Sequence, residues 1–182
     1  MNSNRIPIGV VWLKRDLRLR DHQALANTLK NHKHVLLLYI AENSLLEEPH
    51  FSTRHLDFIK QSLVDLNKQL EVFNTRILAL KGEVIPLLEQ QGVFRGLKDR
   101  KKWLQHWTAL MNQPLYPFPS EKKFITFNHL DKIVQHFQVL DLKTTSSKAI
   151  QPGGETNAHR YLDSFFEGRY INYQSHISKP DL

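Results

Sequence analysis

Three short apolar runs, each followed by a segment of helical periodicity, limit what this chain can fold into more than any other feature. Ile8 to Lys14 (IGVVWLK), Val35 to Ile40 (VLLLYI) and Thr75 to Leu80 (TRILAL) have strand length and are rich in β-branched and aliphatic residues. After the first run, Asp21 is placed to cap a helix from His22 to Asn31 that carries Leu25 and Leu29 on one face. After the second, Ser52 or Thr53 can cap a long helix whose Leu56, Ile59, Leu63, Leu66, Leu70 and Phe73 step by three and four. Gly82 and a short helical stretch from Glu83 to Gln90 follow the third. Alternation of this kind predicts an α/β fold, a Rossmann-like parallel sheet flanked by helices with right-handed crossovers. In such sheets a ligand sits beyond the C-terminal strand ends. Here that edge includes Lys14 to Asp21 and Ala41 to Ser44. A sheet of only three strands is thin, and its two outer strands would carry unpaired backbone groups, an invitation to a partner chain that completes it.

The rhythm breaks after Gly92. Arg100 to Met111 reads as an amphipathic helix with Trp103, Leu104, Trp107, Leu110 and Met111 on one face. That spacing favours core packing of both tryptophans over electron transfer or base stacking. Asn112 to Ser120 is proline-rich and reads as an extended connector, and Leu130, Ile133, Val134 and Phe137 indicate another short helix. Thr144 to Gly154 is a Ser/Thr/Pro/Gly-rich linker, and a last helix runs from Glu155 to Phe166 with Ala158, Tyr161, Leu162, Phe165 and Phe166 on one stripe.

With 182 residues the chain has room for one domain, or one domain and part of another. Hydrophobic residues at 41% and charged residues at 24% describe a globular protein. No apolar run approaches the roughly 18–20 residues that cross a bilayer, and Met1 to Pro7 lacks the apolar core of a signal peptide. Cysteine is absent, which excludes disulfides and thiolate metal sites and favours a cytoplasmic address. The net charge of +7 is compatible with a polyanion partner such as DNA. The basic residues are densest from Arg95 to Lys102, where a solvated helix face is the simpler reading, and recur at Lys14, Arg15, Arg18 and Arg20. No phosphate-binding glycine loop and no H-E-x-x-H is present. The histidine pairs His32/His34 and His50/His55 lack a full ligand set, so no metal site is expected.

The most specific stretch is VVWLKRDLRLRDHQAL, Val10 to Leu25. Arg15 and Arg18 stand at a strand end, where they either bind an anion or pair with Asp16 and Asp21. In the second case the loop is shaped by ion pairs and docks a neighbouring domain.

This segment resembles the opening of the photolyase/cryptochrome family, in which a strand and an aromatic residue lead into R-D-L-R and then D-H/N-x-x-L. Trp12, Arg15, Asp16, Leu17, Arg18, Asp21, His22 and Leu25 match in order. Ser52 to Leu66 (STRHLDFIKQSLVDL) resembles the family's helix after the second strand, and Gly92 to Met111 its G-V-x-R-x-L-x-x-R-x-x-W-x-x-x-W-x-x-x-M segment. Gly153 to Pro180 is similar to the opening of the flavin-binding helical domain, with G-G-E-x-x-A-x-x-x-L-x-x-F and then Y-x-x-x-I-S-x-P.

The resemblance implies residues 1–91 as a photolyase-type α/β domain, 92–152 as helical connector and linker, and 153–182 as the start of a FAD-binding domain. It also implies non-covalent FAD and, in repair members, light-driven electron transfer into pyrimidine dimers in DNA; cryptochrome members signal instead. Tyr173 matches the tyrosine that approaches the flavin, whereas Arg15, Asp16 and Asp21 match structural or interdomain positions, and no catalytic residue is assigned. Two departures stand out. Glu89-Gln90-Gln91 runs directly into Gly92-Val93, where the family inserts two further strand–helix steps, and this argues against an antenna chromophore. The family's flavin phosphate-binding turn and lesion pocket lie beyond the last residues here. The expectation is a truncated family member, inactive alone and holding FAD weakly or not at all. The alternative is a non-catalytic module that binds a nucleotide or nucleic acid at the strand-end loop.

Overall fold

The structure, a computed structural model, describes residues 7–84, 115–120, 122–144 and 151–172. The expected helix with Trp103 and Trp107, the basic run Arg95–Lys102, the Gln91–Gly92 junction, nearly all of the Glu83–Gln90 helix and Tyr173 lie outside the described residues.

Strand β1 (Ile8–Leu13), helix α1 (Gln23–Asn31), strand β2 (His34–Ala41), a one-turn helix α2 (Asn43–Leu46), the long helix α3 (Thr53–Leu70) and strand β3 (Leu78–Lys81) follow in order. Helices α4 (Phe127–Val134) and α5 (Glu155–Glu167) come later in the chain. The three strands form one parallel sheet with β2 in the centre. Each expected strand is present, displaced by up to three residues. Its neighbours decide the ends: β3 starts at Leu78 because pairing with β2 begins there, opposite Leu38.

Side chains alternate across the pleat, so the sheet serves two cores. Val11, Leu13, Val35, Leu37, Tyr39 and Ala79 face α1 and α3, where Leu25, Leu29, Leu63, Leu66 and Leu70 meet them. Leu36, Leu38, Ile40, Leu78 and Leu80 face the other way, against Leu130 of α4 with Ile133 and Val134 at the margin. Both crossover helices lie on one face, as a strand order that never reverses requires when each crossover is right-handed. Residues from the later connector cover the second face.

The edges differ from the sequence expectation. Val35 N donates to Lys123 O (2.8 Å) and Ile125 N to Val35 O (2.9 Å), so the segment before α4 occupies the side of β2 that β3 has not yet reached. Along the outer edge of β3, Lys81 N donates to Gln138 O (2.8 Å) and Leu140 N to Ala79 O (2.9 Å). The chain itself therefore pairs one of the two edges that the sequence left open. The expected helix cap is also corrected. Asp21 has φ 47° and its N–H donates to Tyr116 O, and the N-cap of α1 is His22, whose Nδ1 accepts from Leu25 N at 3.1 Å. A contact 95 residues away in sequence has taken Asp21 out of the capping position. Ser52 caps α3, and His55 Nδ1 accepts the Ser52 N–H at 3.3 Å, the return half of a capping box that more often uses Glu or Gln.

Leu66 is fully buried between α3 and the sheet. Leu66→Ala is expected to lower unfolding stability by about 2–5 kcal/mol, whereas Val72→Ala, at a position 71% exposed, stays within about 0.5 kcal/mol. Urea denaturation midpoints of the two variants check the contrast.

Candidate functional site

Beyond the C-terminal ends of β1 and β2 lies a cleft of about 1070 Å³. Three segments wall it. The loop after β1 gives Lys14, Arg15 and Asp16, the end of β2 gives Tyr39 and Glu42, and the approach to α3 and its first turns give Phe51, His55 and Phe58. Parallel strands point all their C-termini to one side, which sets the end of the sheet where the cleft lies, and the long connection from β2 to α3 supplies its far wall.

The β1 wall is organised around Asp16. Its Oδ1 accepts Lys14 N at 3.0 Å and its carbonyl accepts Arg18 N at 2.8 Å, which turns the chain sharply after the strand. Its Oδ2 lies 3.2 Å from His22 Nε2. Because Nδ1 of that ring is spent as acceptor for Leu25 N, the proton belongs on Nε2, facing Asp16, though off the ideal hydrogen-bond line. The contact with His22 holds the Asp16 carboxyl well below the usual carboxylate range; partial burial opposes this and the Lys14 N–H adds to it. Lys14 Nζ sits 4.0 Å over the Trp12 ring. On the second wall, burial pushes the Tyr39 phenol up, and the charge of Glu42 adds to the effect. Behind Ser44, Glu83 accepts from both its N–H (2.9 Å) and its hydroxyl (3.1 Å), fixing α2 to the end of β3.

The two readings of the basic loop can now be separated. Arg18 is 3.9 Å from Asp21, and Arg20 is 4.0 Å from Glu155, so both guanidinium groups face carboxylates of this chain. Arg15 and Lys14, by contrast, line the cleft. Asp21 lies away from the cleft and ties α1 to the connector at Tyr116. Thus the loop does both jobs, with its first residues at the cleft and its last at structural contacts.

The sequence places Glu155 in a G-G-E motif at the start of the last helix, and the structure gives it a further task. Its side chain is 4% exposed. Oε2 accepts Leu19 N at 3.1 Å and Oε1 accepts Arg20 N at 2.9 Å. The glycines before it are there for contact. A Cβ on Gly153 would lie 2.2 Å from Phe58 O, and Gly154 has φ +119°. Gly153 N donates to Gln61 Oε1 (2.7 Å) and Thr156 N to Asp65 Oδ2 (3.0 Å), so the first turn of α5 is fastened to α3. A signal was available, since an acidic residue opening a helix directly after two glycines suggests a tight seat, but its partner is 136 residues away.

Because the folded pKa of Asp16 lies well below its unfolded value, its stabilising effect is complete above about pH 5, begins to fall near pH 4 and is lost only as the pH drops through the much lower folded value. Its side chain is half exposed, so Asp16→Asn is expected to cost under about 1 kcal/mol at pH 7. The gap between wild type and variant should be the same at about pH 7 and 5 and narrower at about pH 3, which thermal unfolding at the three pH values measures.

Residues 9–98 match the DNA photolyase family. No curated protein sequence matches the chain. Among solved structures, a cryptochrome of Synechocystis sp. PCC6803 aligns over 95% of this chain and 49% of its own, with TM-score 0.61 and 17% identity. A class III photolyase from Agrobacterium tumefaciens aligns over 96% and 47%, with TM-score 0.56 and 18% identity. An archaeal photolyase from Sulfolobus tokodaii, described with two FAD molecules, aligns over 86% and 46%, with TM-score 0.55 and 14% identity. The chain thus spans about half the length of these structures. The ordered R-D-L-R and D-H motifs, the parallel sheet and the family match agree: the chain carries the N-terminal α/β domain of the photolyase/cryptochrome family.

Proposed function

We propose that this chain provides the α/β half of a photolyase- or cryptochrome-type flavoprotein, and that residues 1–182 alone do not carry out light-driven dimer repair. The observation that supports this is the coverage of under half of each matched structure, joined to a cleft that the described residues do not enclose. The domain division at 91 and 153, the family's FAD and DNA, a completing partner chain and the approach of Tyr173 to a flavin belong to the same proposal.

The cleft supports a second capacity, the binding of an aromatic nucleotide at the strand ends. Lys14 and Arg15 offer cations for a phosphate, and Trp12, Phe51 and Phe58 offer apolar ring surface for the base or flavin. FAD is a suitable probe because it carries both chemical parts. Asp16, Glu42 and Glu48 on the same walls oppose bare polyanions, so a nucleotide with a large ring fits better than a nucleic-acid backbone.

Two assays test this. Chain purified from a flavin-replete host, illuminated with dimer-containing DNA and a reductant, is expected to leave the dimers intact; a stoichiometric yellow chromophore with light-driven repair would overturn the first proposal. In titrations at physiological salt, FAD is expected to bind saturably, and the double substitution Lys14→Glu, Arg15→Glu to weaken it about tenfold or more. Absence of saturable binding, or indifference to that double substitution, removes the second.

A further inference from the structure

Two of the three walls of the cleft, the loop after β1 and the start of α3, lie outside the sheet and are not fixed to each other by its pairing. Both are held from behind by the same short segment, Gly153 to Thr156. Toward the loop, Glu155 receives the consecutive N–H groups of Leu19 and Arg20, one on each carboxylate oxygen. One residue, Arg18, separates them from Arg15, Asp16 and Leu17, which line the cleft. Toward α3, Gly153 sits against Phe58 O so closely that any side chain would collide, and Gly153 N and Thr156 N are received by Gln61 and Asp65. Phe58 and Ile59 line the cleft from that helix. Arg20 adds a cross-link, its Nη1 donating to Gln69 Oε1 on α3 at 3.3 Å.

A carboxylate with both oxygens on backbone donors, and almost no solvent contact, has no equivalent arrangement to relax into. Either α5 is seated and the two walls are set at one separation, or Glu155 must leave and the loop loses two of its anchors together. We infer that Glu155 is a positioning residue for the strand-end cleft, fixing the spacing of its loop wall and its α3 wall and so making nucleotide affinity depend on the seating of α5. Binding and seating are then reciprocal: a ligand that needs both walls stabilises the seated helix by the factor by which seating improves its affinity.

The ligand part of this inference rests on the nucleotide reading above, so the test separates the two. Amide hydrogen exchange is measured on the 182-residue chain and on Glu155→Gln, each with and without FAD. The amide side chain keeps the size of the carboxylate but can accept only one of the two N–H groups. Exchange in the variant is expected to speed up about tenfold or more at Leu19 and Arg20, and also across 14–18 and 55–59, while β2 keeps its protection. FAD affinity should fall by a similar factor, and saturating FAD should slow exchange in the first turn of α5 in the wild type. Faster exchange confined to Leu19 and Arg20, with unchanged cleft walls and unchanged affinity, overturns the inference. If FAD binds neither protein, the nucleotide reading fails and exchange at the two walls alone decides the positioning role. Should Glu155→Gln lose protection in β2 as well, Gly153→Ala, which disturbs only the α3 side of the seat, takes its place and must loosen the loop wall too.

Discussion

Everything in this fold depends on β2 being covered on both faces and along both sides. Its residues from Val35 to Ala41 are all buried, and a parallel strand buried on both faces needs apolar layers above and below. The crossover helices α1 and α3 supply one layer. The other comes from α4, more than 80 residues downstream of β2 in sequence. The consequence for the site is direct. With the sheet clamped between layers, the strand ends become fixed points, and the loops that leave them have a rigid base from which to shape a cleft.

The cleft's surroundings show how the family's sequence motifs divide their work. The R-D-L-R segment places its first Arg and Asp at the cleft, and the residues just after it in the hands of Glu155. The G-G-E segment, expected from the resemblance to open a second domain, packs here against α3 and the loop after β1, behind the cleft. A motif that looks like a boundary marker is here a joint. Asp16 illustrates the same economy, since one carboxylate turns the chain after β1 and faces the ring that caps α1.

How much of this was legible in the sequence follows from which contacts are local. The three strands and the helices α1, α3, α4 and α5 were, because apolar spacing is a property of neighbouring residues, and Leu25, Leu29, Leu63, Leu66 and Leu70 all appear in the core as their periodicity required. The position of the cleft was also legible, since it follows from parallel strand direction alone. Asp21 misled because Tyr116 draws it away from the helix start. The pairing of Lys123–Ile125 and Gln138–Leu140 with the sheet left no pattern, since single bridges need no alternating run. Glu155 was visible as a residue but not as a partner, and Tyr173, with the tryptophans of the connector, falls outside the described residues.

The split flank of β2 has a consequence for how the polypeptide matures. Its lower half waits for Lys123 to Ile125, and the outer side of β3 waits for Gln138 to Leu140. During synthesis the first 81 residues contain all three strands of the described sheet, yet they emerge from the ribosome with open hydrogen-bonding flanks and one bare apolar layer. Until roughly sixty more residues have been translated, the nascent sheet is a template for pairing with the wrong chain, and chaperone dependence in the cell would be set by that interval rather than by the stability of the finished molecule.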